Sequence, residues 1–253
     1  MGPLQRDFLI QDLTEVLEES DIEGVITVQA RQTLAETRWL LDLARSHDVV
    51  RGVVGWVALT DPKVDRDLED FCIHSKLKGV RHVLHDEPDD LYMLREDFNR
   101  GINLLKDFDL RYDLLIFERH LQQTIQFVDR HPNQIFILDH IAKPRIRERM
   151  MSPWRENLTE LAQRENVFCK LSGLVTEAAL HSWTEADLDP YLQVVLTAFG
   201  AKRLMFGSDW PVLLLGSSSY KRWVDTVRGA ISRLSEYERE RILGNTATEV
   251  YRL

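Results

Sequence analysis

Residues 24–59 read GVITVQARQTLAETRWLLDLARSHDVVRGVVGWVAL. A short β-branched run, GVITVQA, is followed by the longer TLAETRWLLDLARSH and then by a second apolar run, GVVGWVAL. In the middle segment Leu34, Thr37, Leu40, Leu41 and Ala44 recur at the i, i+3, i+4 spacing of one helical face. The flanking runs are of strand length and nearly free of charge, as strands buried on both faces are. A strand, a helix and a second strand in this order make a parallel βαβ unit.

The unit repeats along the chain. Further apolar runs are GVRHVL from Gly79, YDLLIF from Tyr112, QIFILDH from Gln134, NVFCKL from Asn166 and RLMFGSD from Arg203. Amphipathic stretches at 64–77, 94–108, 120–131, 153–165, 187–199 and 220–234 follow or separate them, and one at 11–20 precedes the first strand. The strand starts lie about 30 residues apart, close to the roughly 31 residues per unit of a (β/α)8 barrel. No G-x-G-x-x-G follows the first strand, so a doubly wound dinucleotide fold has no support. The expected fold is therefore an α/β, TIM (β/α)8-type barrel, with 1–253 as a single domain. Seven strands are visible where a closed barrel needs eight. The missing one is the first, ahead of the helix at 11–20, so the domain reads as N-terminally incomplete.

Composition narrows the function classes. The chain has 253 residues, 44% apolar and 29% charged, an ordinary globular mix. With 32 basic against 41 acidic side chains the net charge is −9, which argues against a nucleic-acid or anionic-membrane partner. No apolar run approaches the roughly 20 residues of a membrane span, and the first residues lack a signal-peptide pattern. Two cysteines, Cys72 and Cys169, are too few for a disulfide scaffold and suit a reducing, cytoplasmic setting. Asn157-Leu158-Thr159 reads as a chance glycosylation match without that signal. A homo-oligomer is compatible with all of this.

In a parallel barrel the site lies at the carboxyl ends of the strands, so polar residues there carry the functional weight. These are Gln29 and Arg31; Arg81, His82 and His85; Glu118, Arg119 and His120; Asp139, His140 and Lys143; Lys170 and Ser172; and Ser208, Asp209 and Trp210. Two imidazoles and a carboxylate from three strand ends allow two chemistries. They can bind one zinc with an open position for water. Alternatively, the carboxylate takes a proton from water while imidazole and Arg stabilise an oxyanion. Both describe hydrolysis of a polarised carbonyl. His47, His74, His131 and His181 fall on helices or loops and read as packing or surface residues. Cys169 reads as a buried small hydrophobe, Trp56 as packing, and HDEPDD (85–90) as a solvated turn with Asp89 or Asp90 as a cap.

The segments GVRHVLHDEPDD, YDLLIFERHL, FILDHIAKP, CKLSGLVTEA and RLMFGSDWPV, in this order, resemble the fuconolactonase and rhamnonolactonase type of amidohydrolase family 2. The likeness runs from about Phe8 to the C-terminal GNTATEVYRL. It implies a sugar-lactone hydrolase of carbohydrate metabolism, with His120, His140 and Asp209 in the catalytic constellation. Arg81 and His82 would contact substrate, and Lys143 and Lys170 border it; Gln29 and Trp210, from their strand-end places, are further substrate-binding candidates, Trp210 by stacking on a sugar face. The resemblance implies no required cofactor, although the superfamily is rich in zinc enzymes; a divalent ion, if bound, falls to His120, His140 and Asp209. The family begins with a strand ending in His-x-His, which this sequence lacks. A catalytically silent truncated barrel, and a metal-dependent amidohydrolase or decarboxylase on the same scaffold, are the alternative readings.

Overall fold

A computed structural model describes residues 2–253. Seven strands form one parallel sheet in chain order: β1 (Val25–Val28), β2 (Val50–Gly55), β3 (Leu77–Val83), β4 (Arg111–Leu115), β5 (Phe136–Leu138), β6 (Val167–Leu171) and β7 (Leu204–Phe206). Every neighbouring pair is parallel, and β1 and β7 are the two edges of a curled, open barrel. The helices lie outside: α1 (Ile10–Glu18), α2 (Leu34–Ser46), α3 (Val64–Cys72), α4 (Glu96–Leu105), α5 (Leu121–Asp129), α6 (Trp154–Leu161), α7 (Leu174–Glu177), α8 (Glu185–Phe199) and α9 (Tyr220–Ala230). The chain ends in α10 (Glu236–Glu240), a π turn at Arg241–Asn245 and α11 (Thr246–Tyr251).

The first βαβ unit shows how the sequence builds this. Thr33 caps α2 by accepting from the Glu36 backbone N–H, which satisfies one otherwise orphaned donor. The periodic face Thr37, Leu40, Leu41 and Ala44 is buried against the sheet. Each such leucine contributes about 1.5–3 kcal/mol by leaving water. The Thr37 hydroxyl then ties the helix to the end of β2. It donates to the Trp56 carbonyl at 2.7 Å and accepts from the Trp56 N–H at 2.7 Å.

Strand alternation sends successive side chains to opposite faces. Val53, Val80, Tyr112, Leu138 and Cys169 join the large core beneath the helices. Val54, Ile137 and Met205 meet Val250 and Tyr251 in a second, smaller core. The tail therefore closes the amino-terminal end of the barrel. Lys78 at the start of β3 donates to the Arg252 carbonyl at 2.7 Å, and Arg111 at the start of β4 donates to the Val250 carbonyl. One expectation is corrected. Strand β1 is half-buried at all four positions rather than buried on both faces, because it has a strand on one side only.

Candidate active site

The strand ends of β5 and β7 bring two of the expected residues together. His140 Nε2 lies 3.6 Å from Asp209 Oδ1. Both stand on left-handed backbone, His140 at φ 55° and Asp209 at φ 57°. The strain around His140 extends over four residues, with Ile141 at φ 49°, Ala142 at 61° and Lys143 at 49°. Left-handed conformation costs a non-glycine residue roughly 1–2 kcal/mol, and such residues gather where function demands an aim that ordinary backbone does not give. Burial of Ile141 and Ala142 and a hydrogen bond from Trp154 Nε1 to the Ile141 carbonyl at 2.8 Å hold the turn.

Around this pair the charges alternate. Arg81 Nη1 donates to Asp139 Oδ2 at 2.8 Å, and its Nη2 donates to the Gln29 carbonyl. Lys170 Nζ lies 2.8 Å from Asp139 Oδ1 and also contacts Asp113 Oδ2. Lys143 Nζ pairs with Glu177 Oε1 at 2.8 Å. Ser172 Oγ is 2.8 Å from His140 Nδ1. Burial alone would raise the Asp139 carboxyl, but Lys170 and Arg81 beside it overturn that and hold it below the usual range. Burial lowers His140, which stays neutral although Asp209 and Asp139 pull the other way. His85 is pushed down to about 4 by burial, opposed by Asp86 and assisted by the charges of Lys143, Arg81 and His140. The stretch 85–90 is the expected solvated turn, with Asp86, Pro88, Asp89 and Asp90 exposed and Asp89 accepting from the Leu91 N–H at 2.9 Å; its inward contacts are His85 stacked on Phe117 at 4.6 Å and Asp90 accepting from His120.

Other expected residues are placed differently. His120 is buried with both ring nitrogens engaged. Its Nδ1 accepts from the Phe117 N–H at 3.1 Å, so Nε2 carries the proton and donates to Asp90 at 2.7 Å. His120 thus closes a turn of backbone and does not join the His140–Asp209 pair. His82 is the neighbour of Arg81 on β3, so alternation turns it outward, against Tyr92 and Phe98. There Trp56 Nε1 donates to its Nδ1 at 3.3 Å, and its Nε2 donates to Glu87 at 2.6 Å. Gln29 is fully buried and gives its Nε2 to the Arg81 carbonyl at 3.0 Å, bracing that residue. Trp210 sits half-buried at the mouth, its ring edge-on to Phe8 at 5.3 Å. The N-terminal residues therefore reach the mouth, which no motif indicated. Glu177 and Ser172 also enter; a serine at a strand end was visible in the sequence, but Glu177 had no local signal.

The zinc set expected from His120, His140 and Asp209 is not assembled. Among the described residues no three His, Cys, Asp or Glu side chains gather as a metal would need. Burial raises the thiols of both Cys72 and Cys169, so neither is an activated nucleophile. Among the described residues no helix is long and apolar enough to cross a membrane.

Residues 2–253 match the family described as amidohydrolase. A curated L-fucono-1,5-lactonase of Burkholderia multivorans is 40% identical over 264 residues, which span 100% of this chain and 88% of that protein. One of Burkholderia ambifaria is 36% identical over 256 residues, with the same coverage. A crystal structure of an amidohydrolase from Burkholderia multivorans with bound zinc superposes with a TM-score of 0.96 at 40% identity, covering 100% of this chain and 91% of that one.

Proposed function

The chain belongs to amidohydrolase family 2, and from that footing we propose that it opens the ring ester of a sugar lactone by attack of water. The observation that carries the reading is the His140–Asp209 pair, held on strained backbone beside fixed cations. The 36–40% identical lactonases support it. Asp209 takes a proton from water as that water bonds to the lactone carbonyl carbon. With the Ser172 hydroxyl donating to Nδ1, His140 presents an Nε2–H to the developing oxyanion. Arg81 and Lys170 add positive potential that needs no reorganisation during reaction. Collapse of the tetrahedral intermediate breaks the bond to the ring oxygen, and the proton held on Asp209 passes to that oxygen. The product is the open hydroxy acid. Its carboxylate faces the positive potential of Lys143 and Arg81.

Among the described residues the donors at this mouth do not make a metal ligand set. The proposal is tested by following acid release from L-fucono-1,5-lactone and other aldonolactones, with and without added zinc. Wild-type protein should exceed spontaneous hydrolysis, and Asp209→Asn should lower kcat about 10²–10⁴-fold, the usual span of general-base catalysis. Wild-type turnover in that variant would remove Asp209 from the chemistry. No hydrolysis of any aldonolactone would end the lactonase reading.

A further inference from the structure

Below the reacting groups, polar side chains run down the barrel interior to the C-terminal tail. Arg81 pairs with Asp139, and Lys170 bridges Asp139 and Asp113. The Tyr251 hydroxyl donates to Asp113, 2.8 Å from Oδ1 and 3.0 Å from Oδ2. Tyr251 is the third residue from the end of the chain, yet it is only 1% exposed and stands in the inner core. Asp113 is wholly buried. We infer that Tyr251 and Asp113 are positioning residues, which hold the Lys170 ammonium between two carboxylates and so fix Asp139 and Arg81 beneath the substrate.

The charges explain why the tyrosine matters. Asp113 and Asp139 compete for one ammonium, and Asp139 has a second cation in Arg81, whereas Asp113 has the Tyr251 hydroxyl instead. A buried carboxylate oxygen left without a donor is costly, and the nearest free N–H is recruited to it. Without the hydroxyl, the Lys170 ammonium, already 2.5 Å from Asp113 Oδ2, turns a further N–H from Asp139 to the vacated Asp113 oxygen, so its contact with Asp139 loosens and the Asp139 carboxylate that holds Arg81 is less fixed. Burial and the neighbouring Asp113 keep the Tyr251 hydroxyl protonated, so it is a permanent donor. Val250, next to it, fills the same inner core without a polar side chain and supplies the comparison.

This inference rests on the lactonase reading for its kinetic test only. Tyr251→Phe keeps the ring and removes the hydroxyl. We expect kcat on L-fucono-1,5-lactone to fall about tenfold with KM within twofold, because loosened charges are felt mainly where charge develops in the transition state. The Lys170 ammonium signal in ¹H–¹⁵N spectra, visible while the group is hydrogen-bonded, should persist but shift as its contact with Asp139 loosens. Val250→Ala should lower the urea midpoint and leave kcat unchanged. Wild-type kcat in Tyr251→Phe, an unaltered Lys170 signal, or an equal loss of kcat in Val250→Ala would each overturn the positioning role. Should wild-type protein open no lactone, the proposed function fails, and the Lys170 signal alone decides the positioning claim.

Discussion

Gly173 supports the His140 ring, and Gly173→Ala tests how much the aim of that ring matters. Gly173 follows β6 at φ 70°, and a Cβ built there would lie 2.6 Å from His140 Cβ, 2.7 Å from Cγ and 2.9 Å from Nδ1. Ordinary carbon contacts begin at about 3.5 Å, so the ring must retreat by roughly 1 Å. His140 has little room to give, since its own backbone turn is pinned through Ile141 and Trp154. Left-handed alanine costs about 1–2 kcal/mol and overpacking about 1–3 kcal/mol. The variant should therefore unfold about 2–5 kcal/mol more easily, within the reserve of an ordinary domain. A misplacement of about 1 Å can cost roughly 10² in rate. The assay is kcat for aldonolactone opening at 25 °C on protein shown to be folded by urea titration. Gly200→Ala is the control. That glycine also has positive φ, 64°, but nothing lies within 4 Å of the built Cβ, so only stability should fall, by about 1–3 kcal/mol. Folded Gly173→Ala with turnover within twofold of wild type would refute the claim that His140 must be held where it is.

Two more outcomes follow from the same geometry. His140→Gln should lower kcat at least tenfold more than His120→Gln. The latter should mainly cost stability, about 1–3 kcal/mol for a buried turn left with an unpaired group, and equal kinetic losses would return His120 to the reacting set. His131 donates from Nε2 to Asn99 at 2.7 Å, and burial pushes it down to about 4 from its ordinary 6.5. Between those values the unfolded chain binds the extra proton, so this stabilisation is complete above pH 6.5 and is lost as pH falls toward 4. His131→Gln should flatten the fall of the urea midpoint between pH 6.5 and 4, whereas an unchanged slope would assign that fall to other groups such as His85.

The fold was legible because its signals are local. Short apolar, β-branched runs placed all seven strands within a few residues, and the eight amphipathic stretches with helical periodicity all became helices. The short helices after Leu174 and beyond Glu236 lay outside that reading, being too brief for a periodic face. The strand-end rule also named a set of polar candidates, of which His140 and Asp209 lie 3.6 Å apart. It could not rank them, because rank depends on partners far away in sequence. His120 is taken by Asp90, 30 residues upstream, and His82 by Trp56, 26 residues upstream.

The left-handed run His140–Lys143 shows the same division. DHIAK contains no glycine, so nothing local announces four positive φ values. The strain is borne by packing and by Trp154, which is 13 residues on. Tyr251 was likewise only a tail residue until chain closure seated it on Asp113. Backbone sterics and burial act over a few residues, and by themselves they determined the order of strands and helices and the rim on which chemistry could sit. The partner of each buried polar group is set by which distant segments meet, and only the folded chain decided that His140 and Asp209 face each other while His120 and His82 serve the scaffold.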